Sequence, residues 1–313
     1  MEDNMQETFN FIERYGDNFT NKEYVTNPAI GREKEIRDLI LILLTPDKSA
    51  ILTGKPGIGK TAIVEGLAYR IQNNDVPDAL KGYEIVKIDT QSLIGTIPET
   101  GDTRVQALIN EIKTKDKFIL FIDEIHTLIN TDNSSALDFA NMFKTGLGRG
   151  DIKLVGATTT EEYERYILRD KAFVRRFQKI EIAEPTEEQT VEILMGTLPK
   201  IEKQTGAKLA YTLFIQEQLM RFIVSLTREY NRVYETMSRY PDVALTFLQQ
   251  AFSEALFDNK KIVTVEHIEK AILNSKSIYP DVIKKEVNKF RSQFKDLLDQ
   301  EQELKKDFQY DEF

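Results

Sequence analysis

The residues Gly54-Lys55-Pro56-Gly57-Ile58-Gly59-Lys60-Thr61 follow the spacing G-x-x-x-x-G-K-[ST], an arrangement suited to holding phosphate. Glycines let the main chain curl until several N–H groups converge on phosphate oxygens. A helix starting at the end of such a loop adds the positive end of its dipole. Lys60 can reach the β- and γ-phosphates of a nucleotide, and Thr61 offers a hydroxyl to Mg²⁺. The nucleotide-contacting set is therefore Pro56, Gly57, Ile58, Gly59, Lys60, Thr61 and Ala62. Downstream, the apolar run Phe118-Ile119-Leu120-Phe121-Ile122 ends in Asp123-Glu124. An acidic pair in that place suits Asp123 to Mg²⁺, through water, and Glu124 to general-base activation of the attacking water. Together these residues predict hydrolysis of ATP with Mg²⁺. His126 has no second ligand at metal spacing and reads as packing or polar support.

Composition narrows the alternatives. The chain has 313 residues and no cysteine, which removes disulfides, thiolate metal sites and cysteine nucleophiles. Only His126 and His267 are present, so a histidine-rich metal centre is poorly supported. With Lys+Arg 42 against Asp+Glu 51, the net charge is -9, and bulk charge gives no nucleic-acid footprint. The first ten residues are acidic and polar, unlike a secretory signal. The longest wholly apolar run, Leu39–Leu44, falls far short of the ~20 residues that span a bilayer. The expectation is a cytoplasmic protein with no membrane partner.

The chemistry-bearing residues need a scaffold, and the hydrophobic pattern supplies one. Short apolar runs at Ala50–Thr53, Tyr83–Ile88, Phe118–Ile122, Ile152–Ala157 and Lys179–Ala183 alternate with helical stretches. Near-continuous hydrophobicity over so few residues fits strands buried on both faces, and the helices fit crossovers. The pattern predicts a doubly wound α/β domain with a five-stranded parallel sheet. After Pro185 no convincing strand occurs. Thr186-Glu187-Glu188-Gln189 reads as a capping box, Pro199 should end or kink the helix it opens, and further helices follow over Leu213–Tyr230, Asp242–Phe257 and Val265–Asn274. From Pro280 onward Ile283, Val287, Phe290, Phe294, Leu297, Leu304 and Phe308 form a stripe that Glu301 interrupts. That tail reads as a helix lying on its own domain, or alternatively as a partner-docking helix. The expected organisation is an N-terminal helical segment over 1–26, an α/β domain over 27–184, a smaller all-helical domain over 185–276 and a charged helix over 277–313.

Several motifs in fixed order carry a family resemblance. They are Asn27-Pro28-Ala29-Ile30-Gly31-Arg32-Glu33, then Gly54–Thr61 with Ala62-Ile63-Val64-Glu65-Gly66-Leu67-Ala68, and Asp75-Val76-Pro77. Phe121-Ile122-Asp123-Glu124-Ile125-His126-Thr127-Leu128, Gly156-Ala157-Thr158-Thr159 and Arg175-Arg176-Phe177-Gln178 follow. From about Phe9 to Glu188, and more weakly to Asn274, the chain resembles the first nucleotide-binding module of the bacterial Clp-type AAA+ unfoldases and disaggregases. The resemblance implies that Thr159 is the sensor after the fourth strand, with Thr158 as the fallback. It implies that Arg175 and Arg176 are arginine fingers serving the adjacent subunit, so that the active unit is a homo-oligomeric ring, hexameric by analogy. It also places Ala29 and Ile30 at the adenine, with Ile193 closing that pocket from the helical domain.

The departures matter as much. The family's loop after the second strand carries an aromatic residue that grips polypeptide. Here that stretch reads Leu93-Ile94-Gly95-Thr96-Ile97-Pro98-Glu99-Thr100-Gly101-Asp102, and no Phe, Tyr or Trp lies between Tyr83 and Phe118. Ile97 is a poorer grip than an aromatic, which puts threading in doubt. Val243 stands where a lysine is common, and the family's accessory domains have no counterpart, which reads as a stand-alone module. The expected function is ATP-driven remodelling of a protein partner by a ring. The alternative is an ATP-dependent assembly or regulatory switch that threads nothing.

Overall fold

In a computed structural model of the chain, which describes residues 10–97, 101–129, 153–234, 240–275 and 280–310, the apolar runs become strands. They are β2 (Ser49–Thr53), β3 (Glu84–Ile88), β4 (Phe118–Ile122), β5 (Lys153–Thr158) and β6 (Phe177–Glu181). A further strand, β1 (Gly16–Asn18), joins them, and the sheet order is β1-β3-β4-β5-β2-β6. The five expected strands run parallel. β1 pairs antiparallel with β3, Gly16 opposite Ile88, so the sheet has six strands and is mixed. Gly16-Asp17-Asn18 carries no apolar run, and its place is set by backbone pairing with β3, which no hydrophobic pattern announces. The described residues before Thr26 are accordingly a short helix (Phe11–Tyr15), the strand β1 and a 3-10 turn (Phe19–Asn21) rather than simply helical. The carboxylate of Glu111 anchors that helix, Oε2 accepting the N–H groups of Phe11 at 2.7 Å and Ile12 at 3.0 Å.

Alternation along the strands explains the layers. Side chains of successive strand residues point to opposite faces. Ile51, Leu120 and Ile122 pack on one side with the helix Arg104–Ile112. Ala50, Leu52, Ile119 and Phe121 pack on the other with the helices Glu33–Leu44 and Lys60–Gln72. Two cores on one sheet are what a doubly wound fold requires.

Two compact units divide the chain, one ending at Ala183 and one beginning at Glu184. The second is built on helices Glu187–Thr205, Leu213–Tyr234, Asp242–Phe257, Val265–Leu273, Pro280–Gln293 and Lys295–Tyr310. The capping box is present: Thr186 Oγ1 accepts from Gln189 N at 3.2 Å, and Gln189 Oε1 accepts from Thr186 N at 2.9 Å. Pro199 does not end this helix, which continues to Thr205 and closes on Gly206 at φ 70°. Burial of Leu194, Leu198 and Ile201 around Pro199 offsets the one main-chain bond that proline removes. A two-residue parallel pair, β7 (Lys208–Leu209) and β8 (Ile262–Val263), makes this unit not strictly all-helical. Strands that short leave no periodicity to read.

The tail is two helices rather than one, and it is core rather than appendage. Val287, Phe290 and Phe294 are buried in the same cluster as Leu219, Phe222 and Leu248. Glu301, which breaks the apolar stripe, accepts a hydrogen bond from the hydroxyl of Tyr211. That hydroxyl in turn accepts from Val265 N at 3.1 Å. The interruption is thus a polar tie between the last helix and the rest of the unit. Among the described residues no helix is long and apolar enough to cross a membrane.

Candidate nucleotide site

The site forms where three neighbouring parallel strands end. β4, β5 and β2 lie side by side, with Ile122 opposite Gly156 and Thr53 opposite Thr158. Their carboxyl ends therefore deliver Gly54–Thr61, Asp123-Glu124 and Thr158-Thr159 to one edge. Ligands of doubly wound sheets bind at this edge.

The loop after β2 is shaped by its glycines. Gly59 caps the helix Lys60–Gln72 at φ 94°, ψ 29° with no side-chain cap. Only glycine takes that conformation without strain, and the first-turn N–H groups are left without a side-chain acceptor. A cradle for an anion results. At Gly54 a Cβ would come within 2.2 Å of Ile58 Cδ1 and 2.7 Å of Ile182 O, so that position too must be glycine. Lys60 Nζ lies across the loop mouth, donating to Gly54 O at 2.9 Å and Lys55 O at 3.1 Å. Burial holds its ammonium below the ordinary lysine range, against the opposing pull of Asp123, Glu162 and Glu124.

Thr61 Oγ1 donates to Asp123 Oδ2 at 3.1 Å. A hydroxyl and a carboxylate, both hard oxygen donors, so placed beside a phosphate cradle fit Mg²⁺. That ion takes one or two protein ligands and completes its octahedron with phosphate and water. Glu124 follows in the left-handed region at φ 51°, its N–H donating to Asp123 Oδ1 at 3.0 Å and its side chain exposed. A non-glycine residue held there costs about 1–3 kcal/mol and persists only where its surroundings impose it.

The threonines after β5 take different parts. Thr159 caps the helix Thr160–Glu162, its Oγ1 accepting from Glu162 N at 3.2 Å. A hydroxyl that accepts still has its own proton to donate. Thr158, nearly fully buried, donates to Glu162 Oε2 at 3.1 Å and lies 3.0 Å from His126 Nδ1. His126 also lies 3.2 Å from Glu162 Oε2 and stacks on Tyr166, which makes it a polar support. Burial would raise the Glu162 carboxyl, but hydrogen bonds from Thr159 and Thr158 and the nearby His126 hold it below the ordinary range. Glu162 had no motif to mark it in the sequence.

Other predicted residues lie elsewhere. Ala29 is buried against the helix Lys60–Gln72, where a Cβ on Gly66 would come within 2.3 Å of Ala29 Cβ. Ile30 is half-buried beside it in sequence, and Ile193 is half-buried in the first helix of the second unit. Arg175 and Arg176 precede β6, at the opposite edge of the sheet. Arg176 O accepts from Ser49 N at 2.9 Å, and Arg175 O accepts from Lys48 Nζ at 2.7 Å. In the loop after β3, Ile97 is 3% exposed whereas Ile94 is 51% exposed. Ile97 is thus turned inward, beside the pairing of Thr96 with Thr103. Pro98, Glu99 and Thr100 lie outside the described residues. Arg32, which the sequence offered only as part of a motif, donates to Ile58 O in the phosphate loop at 3.0 Å.

Residues 50–184 match the ATPase family associated with various cellular activities (AAA). The chain is 44% identical over 246 residues to the chaperone protein ClpB of Aquifex aeolicus, covering 77% of this chain and 24% of that one. It is 38% identical over 258 residues to a homologue of the ATP-binding subunit ClpA of the Clp protease from Guillardia theta, covering 80% and 30%. Among solved structures, the S. cerevisiae Hsp104:casein complex in its extended conformation superposes with TM-score 0.68 at 36% identity, over 81% of this chain and 43% of Hsp104. A closed-state Hsp104 with ATPγS and FITC casein gives TM-score 0.71 at 34% identity, over 84% and 45%. The chain thus spans about a quarter to a third of the length of these curated relatives. Over the part they share, residues 50–184 are an AAA ATPase domain, and the chain carries a Clp-type AAA+ ATPase module.

Proposed function

We propose that this module hydrolyses ATP as a ring-forming motor that remodels a protein partner, with each site completed by arginines of the neighbouring subunit. The observation that carries the reading is the 3.1 Å bond between Thr61 Oγ1 and Asp123 Oδ2 at the mouth of the phosphate loop, with Glu124 next in the chain. Main-chain N–H groups around Gly57–Ala62 and the ammonium of Lys60 hold the phosphates. Thr61 and Asp123 would hold Mg²⁺, which when bound would offset negative charge on the phosphate. Glu124 accepts the proton of the water that attacks the γ-phosphorus, giving ADP and phosphate. Thr159 donates its hydroxyl proton toward that water or the γ-phosphate.

Support for the trans-acting arginines is geometric. Arg176 lies level with Lys48, and the phosphate loop begins at Gly54, six residues further along the parallel register. At about 3.3 Å per residue that is about 20 Å, beyond the reach of an arginine side chain. A guanidinium so placed serves a site only if the site belongs to another copy, and a closed ring gives every copy such a neighbour. Hexameric assembly and a protein substrate rest on the likeness to ClpB and Hsp104. The second reading, a switch that assembles with ATP and threads nothing, is favoured by the loop after β3, which lacks an aromatic and turns Ile97 inward.

The test is Glu124→Gln. It should bind ATP as the unaltered chain does while turnover falls by about 10²–10⁴-fold. Turnover at the normal rate removes Glu124 as the base. Imaging that variant with ATP separates the motor, with polypeptide in a ring's centre, from the switch.

A further inference from the structure

We propose that Arg32 is a positioning residue for nucleotide binding, fixing the Ile58–Gly59 peptide so that the Gly59 N–H faces the phosphates. The inference rests on the reading of Gly54–Thr61 as the phosphate cradle and adds the residue that sets its orientation.

Arg32 is 6% exposed, an uncommon state for a guanidinium, and its donors go to two main-chain carbonyls and one carboxylate. Nη2 donates to Ile58 O at 3.0 Å, and Nη1 donates to Ala183 O at 3.0 Å and to Glu35 Oε1 at 3.1 Å. A trans peptide is planar, with its C=O and N–H directed oppositely. Grasping the Ile58 carbonyl from one side therefore turns the Gly59 N–H to the other. The local torsions do not decide this by themselves. Gly59 adopts φ 94°, but glycine takes either sign of φ at little cost, so the peptide needs an external hold. Two groups supply it: the Ile58 side chain, buried against the sheet, and the charge-assisted bond from Arg32. The second donor ties the same guanidinium to Ala183, the last residue of the first unit, so the loop is braced on the chain that follows β6.

This role separates from a merely structural one by what it does to phosphate. Losing a buried hydrogen bond from a charged group corresponds to about 10- to 100-fold in binding. Affinities for MgATP, MgADP and tripolyphosphate, the last having no base, are measured by competition against a fluorescent nucleotide. The set is the unaltered chain with Arg32→Lys, Arg32→Ala and Glu35→Gln. The expected result is a loss of about 10-fold or more in Arg32→Lys for all three ligands alike. kcat at saturation should change by less than about 3-fold, because Arg32 touches no reacting atom. Glu35→Gln, which keeps both carbonyl bonds, should bind within about 2-fold of normal. The inference is overturned if Arg32→Lys weakens MgATP but not tripolyphosphate, which would put its effect at the base. It is overturned equally if Arg32→Lys and Glu35→Gln lower the melting temperature alike and leave all three affinities unchanged. Should Arg32→Ala fail to fold, the lysine variant and Glu35→Gln decide the matter. Lys60→Ala serves as the independent control: if it binds MgATP normally, the cradle reading itself has failed, whatever Arg32 does.

Discussion

The position of the arginine pair makes a quantitative prediction about shared sites. Arg175 and Arg176 lie about 20 Å along the register from Gly54, so a chain cannot supply its own phosphate loop with them. An arginine finger is worth about 10³–10⁵ in rate where its effect has been measured. Chains carrying Arg175→Ala and Arg176→Ala should therefore be nearly inactive alone, and so should Lys60→Ala chains, for lack of nucleotide. When the two are mixed in equal amounts, a site works if its loop comes from the first variant and its arginines from the second. Random assembly in a closed ring gives that pairing at about a quarter of interfaces. The assay is steady-state phosphate release across mixing ratios, with a maximum near equal amounts at about a quarter of the normal rate. If no mixture exceeds the weighted sum of its components while co-assembly is demonstrated, the trans assignment is wrong.

Two further predictions concern the second unit. Thr264 N donates into His267 Nδ1 at 3.0 Å, which requires that nitrogen to be unprotonated. Burial pushes the imidazole below its ordinary 6.5, opposed by Asp258, Glu266 and Glu301 and assisted by Lys270. A depressed folded-state value means that the unfolded chain takes up a proton the folded one refuses. The stabilisation is therefore present above pH 6.5 and is lost as pH falls below it. Urea midpoints should drop between about pH 7.5 and about pH 5.5, and His267→Gln should flatten that dependence; an unchanged slope would refute it. Phe290→Ala should cost about 3–5 kcal/mol, because its ring is fully buried between Phe222, at 5.1 Å, and Phe294, at 4.9 Å. A loss under about 1 kcal/mol would mean that the tail is an appendage after all.

The glycine-rich loop, the acidic pair and five of the six strands among the described residues were legible in the sequence because each is written in consecutive residues. Gly54–Thr61 is a local conformation that needs its glycines, and strands buried on both faces are unbroken apolar runs. What escaped was recorded in no run. β1 is three polar residues placed by pairing with β3, and Pro199 stays inside a helix because burial outweighs one missing bond. Ile97 is buried in a loop, beside an isolated backbone bridge between Thr96 and Thr103. Glu162 and Arg32 have partners far off in sequence: Glu162 meets His126, and Arg32 meets Ile58 and Ala183.

By itself the sequence determined which chemistry is available. With no cysteine and two histidines, Lys60, Thr61, Asp123 and Glu124 are the groups it has for phosphate, Mg²⁺ and water. Only the tertiary structure decided where those groups lie. Parallel register brings the ends of β2, β4 and β5 to one edge and sends Arg175 and Arg176 to the other. The physical reason is direction: spacing along a chain fixes residue types and local torsions, whereas the side of a sheet on which a loop emerges is fixed only when the strands pair.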